Sequence, residues 1–448
     1  MVALALSLAF FLVTYALGRR SLTWGLICLL SIGYFNGILR ANILESASYF
    51  FFDSALLGLY LGQFNRKHPG NDPPAYRELR DWTLLLIAWP CILLLLPTQG
   101  LLIRLVGLRA NILFWPMLLL GARLKGEDML SLASCIAVLN LIALGFAAAE
   151  YQFGIEPFFP RSHATELIYA SNDVANYSFY RIPAIFGHAH IYGGTMALSI
   201  CFLIAAWLQP GKRSYQGVLF VLGIAAAFLG ILLCAARTPL ILAGVAVAAT
   251  LVFMPRGGAV RWLVLPAMIA AMYWGIQGNE RLTRFLLLSD TQATTQRLSQ
   301  SANGKFYDVI KEYPLGNGLG GGGTSIPYFL SEGIVKPKVF SENEYARIVL
   351  EQGWIGLAIF IGFIIWALFR PVFRRDPWYS GRAIVKTFLM ITFATAFIGT
   401  GLFAAVPYSA MLLLGLGWVL VSSAPPRRRP APVQAMQPAG EQSPKAAV

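Results

Sequence analysis

Residues 341–369 read SENEYARIVLEQGWIGLAIFIGFIIWALF. The second half is uncharged, and with its flank it is long enough to cross a bilayer as a helix. The first half sets Glu342, Glu344, Arg347 and Glu351 at the mouth of that helix. Charges there are costly unless they sit in water, pair with one another, or serve a function. The stretch thus fixes the fold class and poses the functional question together.

The rest of the chain follows the same pattern. Of its 448 residues 57% are apolar and 12% charged, against about 25% charged in an average soluble domain. Apolar runs recur along almost the whole length, which predicts an all-α polytopic membrane protein of about 12–13 transmembrane helices. The expected spans are 2–17, 21–38, 46–63, 82–98, 105–121, 129–149, 189–208, 216–234, 238–254, 262–277, 346–369, 387–405 and 407–423. Residues 1–17 lack a basic start and run into Arg19 and Arg20, so they read as a retained helix, not a signal peptide. The five cysteines lie inside apolar runs without metal-ligand spacing and are expected as small buried hydrophobes.

The net charge of +14 does not point to nucleic acid. Most of the 35 basic residues fall in one set of alternate loops, Arg19, Arg20, Arg123, Lys125, Lys212, Arg213, Arg374 and Arg375 among them, and in the tail. That is the charge bias of cytoplasmic loops. It places the C-terminus inside and the N-terminus outside. Residues 424–448 are Pro-, Ala- and Gln-rich and are expected to be a disordered cytoplasmic tail on a membrane domain of 1–423.

Two long loops, about 150–187 and 278–345, then face outward. In the second, Phe306, Val309, Ile310 and Tyr313 repeat at helical spacing, predicting a short amphipathic helix ended by Pro314. The glycines of PLGNGLGGGGT beyond it permit left-handed turns. The run lacks the Gly-Lys-Ser/Thr ending of a nucleotide loop.

The outward polar residues are the candidates for chemistry. Arg237 sits between two apolar runs, Arg297 opens the second loop, and Arg181 precedes the seventh span. Guanidinium stays charged and grips phosphate through two hydrogen bonds, so the three together would suit a phosphate cradle. Read singly, Arg297 and Arg181 are solvated loop charges, whereas Arg237, apolar on both sides, calls for an anion, a carbonyl cluster or an aqueous cavity, with snorkelling to the interface as the alternative. His188 and His190 stand at the mouth of the seventh span, either as proton acceptors or as polar helix-start residues. Glu342, at the water–bilayer boundary, suits a general base. Asn343 would orient a sugar hydroxyl, Tyr345 and Trp354 would pack on a sugar ring, and Arg347 would assist in binding. Glu344 fits an acidic helix start. No metal or other cofactor is called for.

Three segments in order carry a resemblance: YRIPAIFGHAHIYGGTMALSI from residue 180, AARTPLILAG from 235, and RLSQSANGKFYDVIKEYPLGNGLGGGG from 297, closed by SENEYARIVLEQGWIGL. Residues 180–360 resemble the O-antigen ligase and O-antigen polymerase superfamily of bacterial envelope proteins. That family has a Ser-Arg-Gly-like turn and a long periplasmic loop closing on His-Asn-x-Tyr-Leu and Glu-x-Gly-x-x-Gly. The resemblance implies that Arg237 and Arg297 hold a lipid-linked diphosphate and that Asn343 and Tyr345 belong to the closing motif. Glu342 stands where the family has histidine, and ART where it has Ser-Arg-Gly.

The implied protein is a multi-pass enzyme of the bacterial inner membrane with its active site toward the periplasm. Its donor would be an undecaprenyl-diphosphate-linked glycan, its acceptor another glycan, and its partners other polysaccharide-assembly proteins. The missing histidine favours a polymerase over a ligase. A flippase or transporter is the other class to weigh, though the inverted repeats common in transporters are not evident. A non-catalytic scaffold would have no reason to gather arginines outside.

Overall fold

The computed structural model describes residues 1–65, 73–162, 165–171, 179–254, 285, 295, 306–322, 343–397 and 402–421. Within them the chain is helical, without a β-strand. The helices are α1 (Val2–Arg20), α2 (Leu22–Asn42), α3 (Phe51–Phe64), α4 (Pro74–Leu93), α5 (Leu101–Ile112), α6 (Met117–Ala122), α7 (Gly126–Phe153), α8 (Glu166–Tyr169), α9 (Ala189–Trp207), α10 (Ser214–Leu233) and α11 (Arg237–Phe253). After them come α12 (Phe306–Glu312), α13 (Glu344–Phe369), α14 (Tyr379–Thr395) and α15 (Tyr408–Leu420). Among the described residues seven segments are long and apolar enough to span a membrane: α1, α2, α5–α6 together, α7, α9, α10 and α13. The expected span 262–277, the tail 424–448, most of the loop 278–345, Arg297 and Glu342 lie outside the described residues.

Burial sorts the helices. Every residue of α15 is buried, as is most of α9. By contrast, α1 presents Leu4, Leu8 and Leu12 outward, and α10 presents Val218, Val221, Leu222 and Leu229. Apolar faces of that kind are stable against lipid, because a helix satisfies its own backbone. Small residues let the central helices close up. A Cβ on Gly121 of α6 would run into the Leu414 carbonyl of α15, and one on Gly417 into the Leu118 carbonyl. Such small-residue contacts replace the hydrophobic drive that is absent between helices in lipid.

Two helices begin earlier than hydropathy suggests. Pro74 occupies the first turn of α4, where its missing N–H is not needed. The helix then runs through Arg77, Glu78, Arg80 and Asp81 while burying Tyr76, Leu79, Thr83 and Leu86 along one face. Arg382 and Lys386 fall inside α14 because both find partners: Arg382 pairs with Asp376 at 3.2 Å, and Lys386 donates to the Leu368 carbonyl at the end of α13 at 2.9 Å. The cysteines also depart from expectation. Cys201 and Cys234 are buried, but Cys91 is exposed on α4.

α12 forms where the periodicity places it and stops before Pro314. Its Phe306 and Val309 pack on Ala346, Val349 and Leu350 of α13, with Ile310 and Tyr313 at the margin. The amphipathic helix therefore covers the start of α13.

α13 is broken. Gly353 has φ 69° and ψ −176°, a non-helical conformation inside the helix, and a positive φ of that size favours glycine. The break frees backbone groups, and the Gly-rich loop takes them up. Asn317 N donates to Leu350 O at 2.6 Å, and Trp354 N donates to Pro314 O at 2.9 Å. Gly316, Gly318 and Gly320 all have φ near +80°, so the loop turns tightly enough to lie in the break. On its far side a Cβ on Gly107 of α5 would strike the Gly320 backbone, and Gln99 Nε2 donates to Asn317 O at 2.8 Å.

Candidate functional site

Cross-links show that the end of α2, the starts of α3, α9 and α13, and the end of α7 share one end of the bundle. Ile38 N of α2 donates to Ile185 O just before α9 at 3.1 Å. Asp53 of α3 pairs with Arg109 of α5, and Asn111 of α5 bonds to α13. Two polar groups result, joined along α5.

The first group answers the question posed by residues 341–369. Arg347 Nε and Nη2 donate to Glu344 Oε1 at 2.8 and 2.6 Å. Its Nη1 donates to Glu351 Oε2 at 3.0 Å and to Asn111 Oδ1 at 3.1 Å. Asn111 Nδ2 donates in turn to Glu351 Oε2 at 2.6 Å, and Gln352 Nε2 to Asn111 Oδ1 at 2.8 Å. Glu344, Arg347 and Glu351 are each at most 5% exposed. Such burial is tolerated only where charges are paired and their remaining hydrogen bonds are met. The i, i+3 and i, i+4 spacing on one helical face makes both pairs possible. Gly322 of the Gly-rich loop lies against Glu351. A cavity of about 10 Å³ opens between Asn111, Arg347, Gln352, Trp115 and Phe403, room for about one water.

Asn343 is fully buried and caps α13, its Oδ1 accepting from Tyr345 N at 2.9 Å and Ala346 N at 3.2 Å. This is the usual work of Asn at a helix start. Tyr345 packs between Phe360 and Phe397, and its hydroxyl donates to Phe393 O at 2.8 Å. Trp354 is exposed on the outer face of α13. Asn343, Tyr345 and Arg347 therefore shape the start of α13 through their own hydrogen bonds.

The second group lies at the mouth of α9. Arg181 is buried, and its Nη1 donates to His190 Nε2 at 2.6 Å. A guanidinium can only donate, so His190 accepts there. His188 is the N-cap residue of α9. Its pKa is held down to about 4, first by desolvation and then by the charges of Arg40 and Arg181. It is thus neutral near pH 7 and a weak base.

The backbone between these residues is tightly fixed. Ala184 has φ 52°, in the left-handed region, and its N–H donates to Glu150 Oε2 of α7 at 2.9 Å. Gly37 of α2 meets the Phe186–Gly187 backbone with no room for a Cβ. Arg109 holds both oxygens of Asp53, at 2.6 Å each. Arg40 stacks over Tyr49 at 3.9 Å from the ring centroid.

Arg237 is the first residue of α11. The turn before it contains Ala235 at φ 50°. Gly193 of α9 is enclosed by Cys234 and Pro239, which sets the Arg237 turn beside the first turns of α9. The structure thus brings Arg181, His188 and His190 together and the Arg237 turn next to them, while Asn343, Tyr345 and Arg347 form the neighbouring group.

Sequence reasoning passed over Arg40, Asp53, Arg109, Asn111 and Glu150. Their signal was present, since each is a charged or polar residue inside or at the edge of an apolar run. The chain matches no protein-family model and no curated protein.

Proposed function

We propose that the chain is a bacterial inner-membrane glycosyltransferase that polymerises undecaprenyl-diphosphate-linked repeat units at the periplasmic face. In this reading it crosses the membrane about 12–13 times and folds residues 278–345 into a large periplasmic loop carrying α12. The observation that supports it is the arginine-rich mouth of α9. There Arg181 and His190 meet, Arg40 lies in electrostatic reach of His188, the Arg237 turn lies beside the first turns of α9, and α5 links this group through Arg109 and Asn111 to the broken helix α13. A cluster of arginines at the mouth of a membrane helix suits a lipid-anchored diphosphate, with head group in water and tail between helices.

The reaction is one displacement. An acceptor sugar hydroxyl attacks the anomeric carbon of the donor, forming a new C–O bond. The bond to the diphosphate oxygen breaks, and the diphosphate leaves with the electron pair. Arg237 and Arg297 stabilise the departing anion as preorganised charges. Glu342 takes the hydroxyl proton, and the anomeric centre inverts. The Arg347 group acts by fixing the start of α13, which Asn343 caps and which Glu342 precedes in the sequence. The same chemistry with a lipid acceptor makes a ligase. A transporter is the second reading, favoured by the break at Gly353, since interrupted helices line many transport sites.

The test is the lipid extract of the native host carrying Arg237→Ala. Single lipid-linked units accumulating on the periplasmic side, with long chains gone, support a polymerase. Long chains retained and untransferred support a ligase. Units trapped on the cytoplasmic side support transport. A wild-type profile with the protein present removes Arg237 from the mechanism.

A further inference from the structure

Arg40 lies outside the three motif segments, yet it faces the same site. It stands in the last turn of α2. One turn earlier, Gly37 and Ile38 make the backbone crossing with Ile185, Phe186 and Gly187. That crossing brings the next residue, His188, into electrostatic reach of Arg40. The position of Arg40 beside the mouth of α9 follows from a crossing that only glycine at position 37 permits.

Among the described residues, no carboxylate is left over to neutralise it. The carboxylate within its reach is Asp53, and both oxygens of Asp53 are held by Arg109. His188 is uncharged near neutral pH. Arg40 Nε is buried and has no hydrogen-bond partner. Arg109 adds a like charge nearby. The Tyr49 ring, a hydrogen bond with the Tyr49 side chain and the carbonyl end of α2 offset part of the cost. None of these supplies the forked acceptor that a desolvated guanidinium takes, and a phosphate oxygen pair does.

We propose that Arg40 is a further phosphate-binding residue. Its Nε–H and one Nη–H donate to oxygens of a diphosphate group seated at the mouth of α9. The inference rests on the glycosyltransferase reading for its ligand, the head group of the lipid-linked donor, and the chemistry it recognises is the diphosphate itself. Arg40 acts in binding, so its loss weakens substrate capture without removing the groups that carry the displacement.

The experiment uses the full-length protein in detergent, with three probes: undecaprenyl diphosphate, undecaprenyl monophosphate and inorganic pyrophosphate. Binding is read by native mass spectrometry for wild type, Arg40→Gln, Arg40→Lys and the exposed control Arg161→Gln. Wild type and Arg161→Gln are expected to bind undecaprenyl diphosphate alike and more tightly than the monophosphate. Arg40→Gln is expected to lose about tenfold or more, and Arg40→Lys to fall between, because ammonium keeps the charge without the fork. Should Arg40→Gln fail to fold, the Lys variant decides, and wild-type affinity in it overturns the inference. Undiminished binding by a folded Arg40→Gln does the same and leaves the glycosyltransferase reading intact. Pyrophosphate binding that is lost in Arg40→Gln, without lipid binding, upholds the anion site and counts against the lipid-linked donor. Wild type that binds none of the probes overturns the inference.

Discussion

Replacing Arg347 by methionine removes a guanidinium that makes four hydrogen bonds to Glu344, Glu351 and Asn111, all buried. Methionine fills similar space, so the loss is chiefly electrostatic. Two carboxylates on one helical face then lack the cation between them. Breaking a buried ion pair by removing one partner costs about 3–5 kcal/mol, and here one residue serves two pairs, which puts the cost at the upper end. Glu351→Gln retains an oxygen to accept from Arg347 and Asn111 and leaves the Arg347–Glu344 pair intact. Its cost is about 1–2 kcal/mol, that of weakening charge-assisted hydrogen bonds to neutral ones. The assay is thermal unfolding of purified protein in one detergent, followed by tryptophan fluorescence. The predicted order of stability is wild type, then Glu351→Gln, then Arg347→Met. Arg347→Met unfolding with or above wild type would refute the reasoning, and with it the view that the charges at the start of α13 hold one another in place.

Other perturbations probe the second group and the loop. For His188, the folded pKa of about 4 lies below the usual 6.5 or so of an unfolded histidine, so protons bind the unfolded chain first. Stability contributed by the neutral ring is complete above about pH 6.5 and falls by roughly 3 kcal/mol as the pH drops toward about 4. His188→Gln should flatten that part of the unfolding-temperature curve, and identical acid limbs would count against it. Glu150→Gln keeps an acceptor for the Ala184 N–H, whereas Glu150→Leu leaves that donor buried, at about 1–3 kcal/mol. Product formation in the host should survive the first and drop with the second, and equal activity would show that the Ala184 turn needs no anchor. Gly107→Val drives a side chain into the Gly320 backbone and should lift the loop, at a cost of about 1–3 kcal/mol or more. A thiol reagent should then label a cysteine placed at the buried Leu319, and continued protection would place the loop elsewhere.

Much of the fold is legible in the sequence because lipid imposes a plain rule: about 20 apolar residues make a span. The early starts of α4 and α14 escape that rule. Arg77, Glu78 and Arg80 depress local hydropathy although Tyr76 and Leu79 on the same helix are buried, and Lys386 is admitted by carbonyls of α13 that are distant in sequence. α12 is legible because four apolar residues at helical spacing precede a proline. The break at Gly353 is not, since a lone glycine in an apolar run shows no φ, and its reason lies upstream, in the backbone of Pro314–Asn317. The charges of residues 341–369 are visible as a problem. Their partner Asn111, 236 residues from Arg347, is known only once α5 and α13 are packed. Arg40 is legible as a charge at the edge of an apolar run, but its place beside His188 follows only from the crossing of α2 with the 185–187 backbone.

The most direct measurement of the central claim uses the purified wild-type protein alone, reconstituted into liposomes with an undecaprenyl-diphosphate-linked oligosaccharide whose sugars match the host polymer. Mass spectrometry then follows chain length and free undecaprenyl diphosphate. The account predicts lipid-linked chains growing by whole repeat units, with one undecaprenyl diphosphate released per new bond, and neither in Arg237→Ala. A donor that merely changes leaflet, unaltered in mass and with no diphosphate released, would contradict the account and make the protein a carrier.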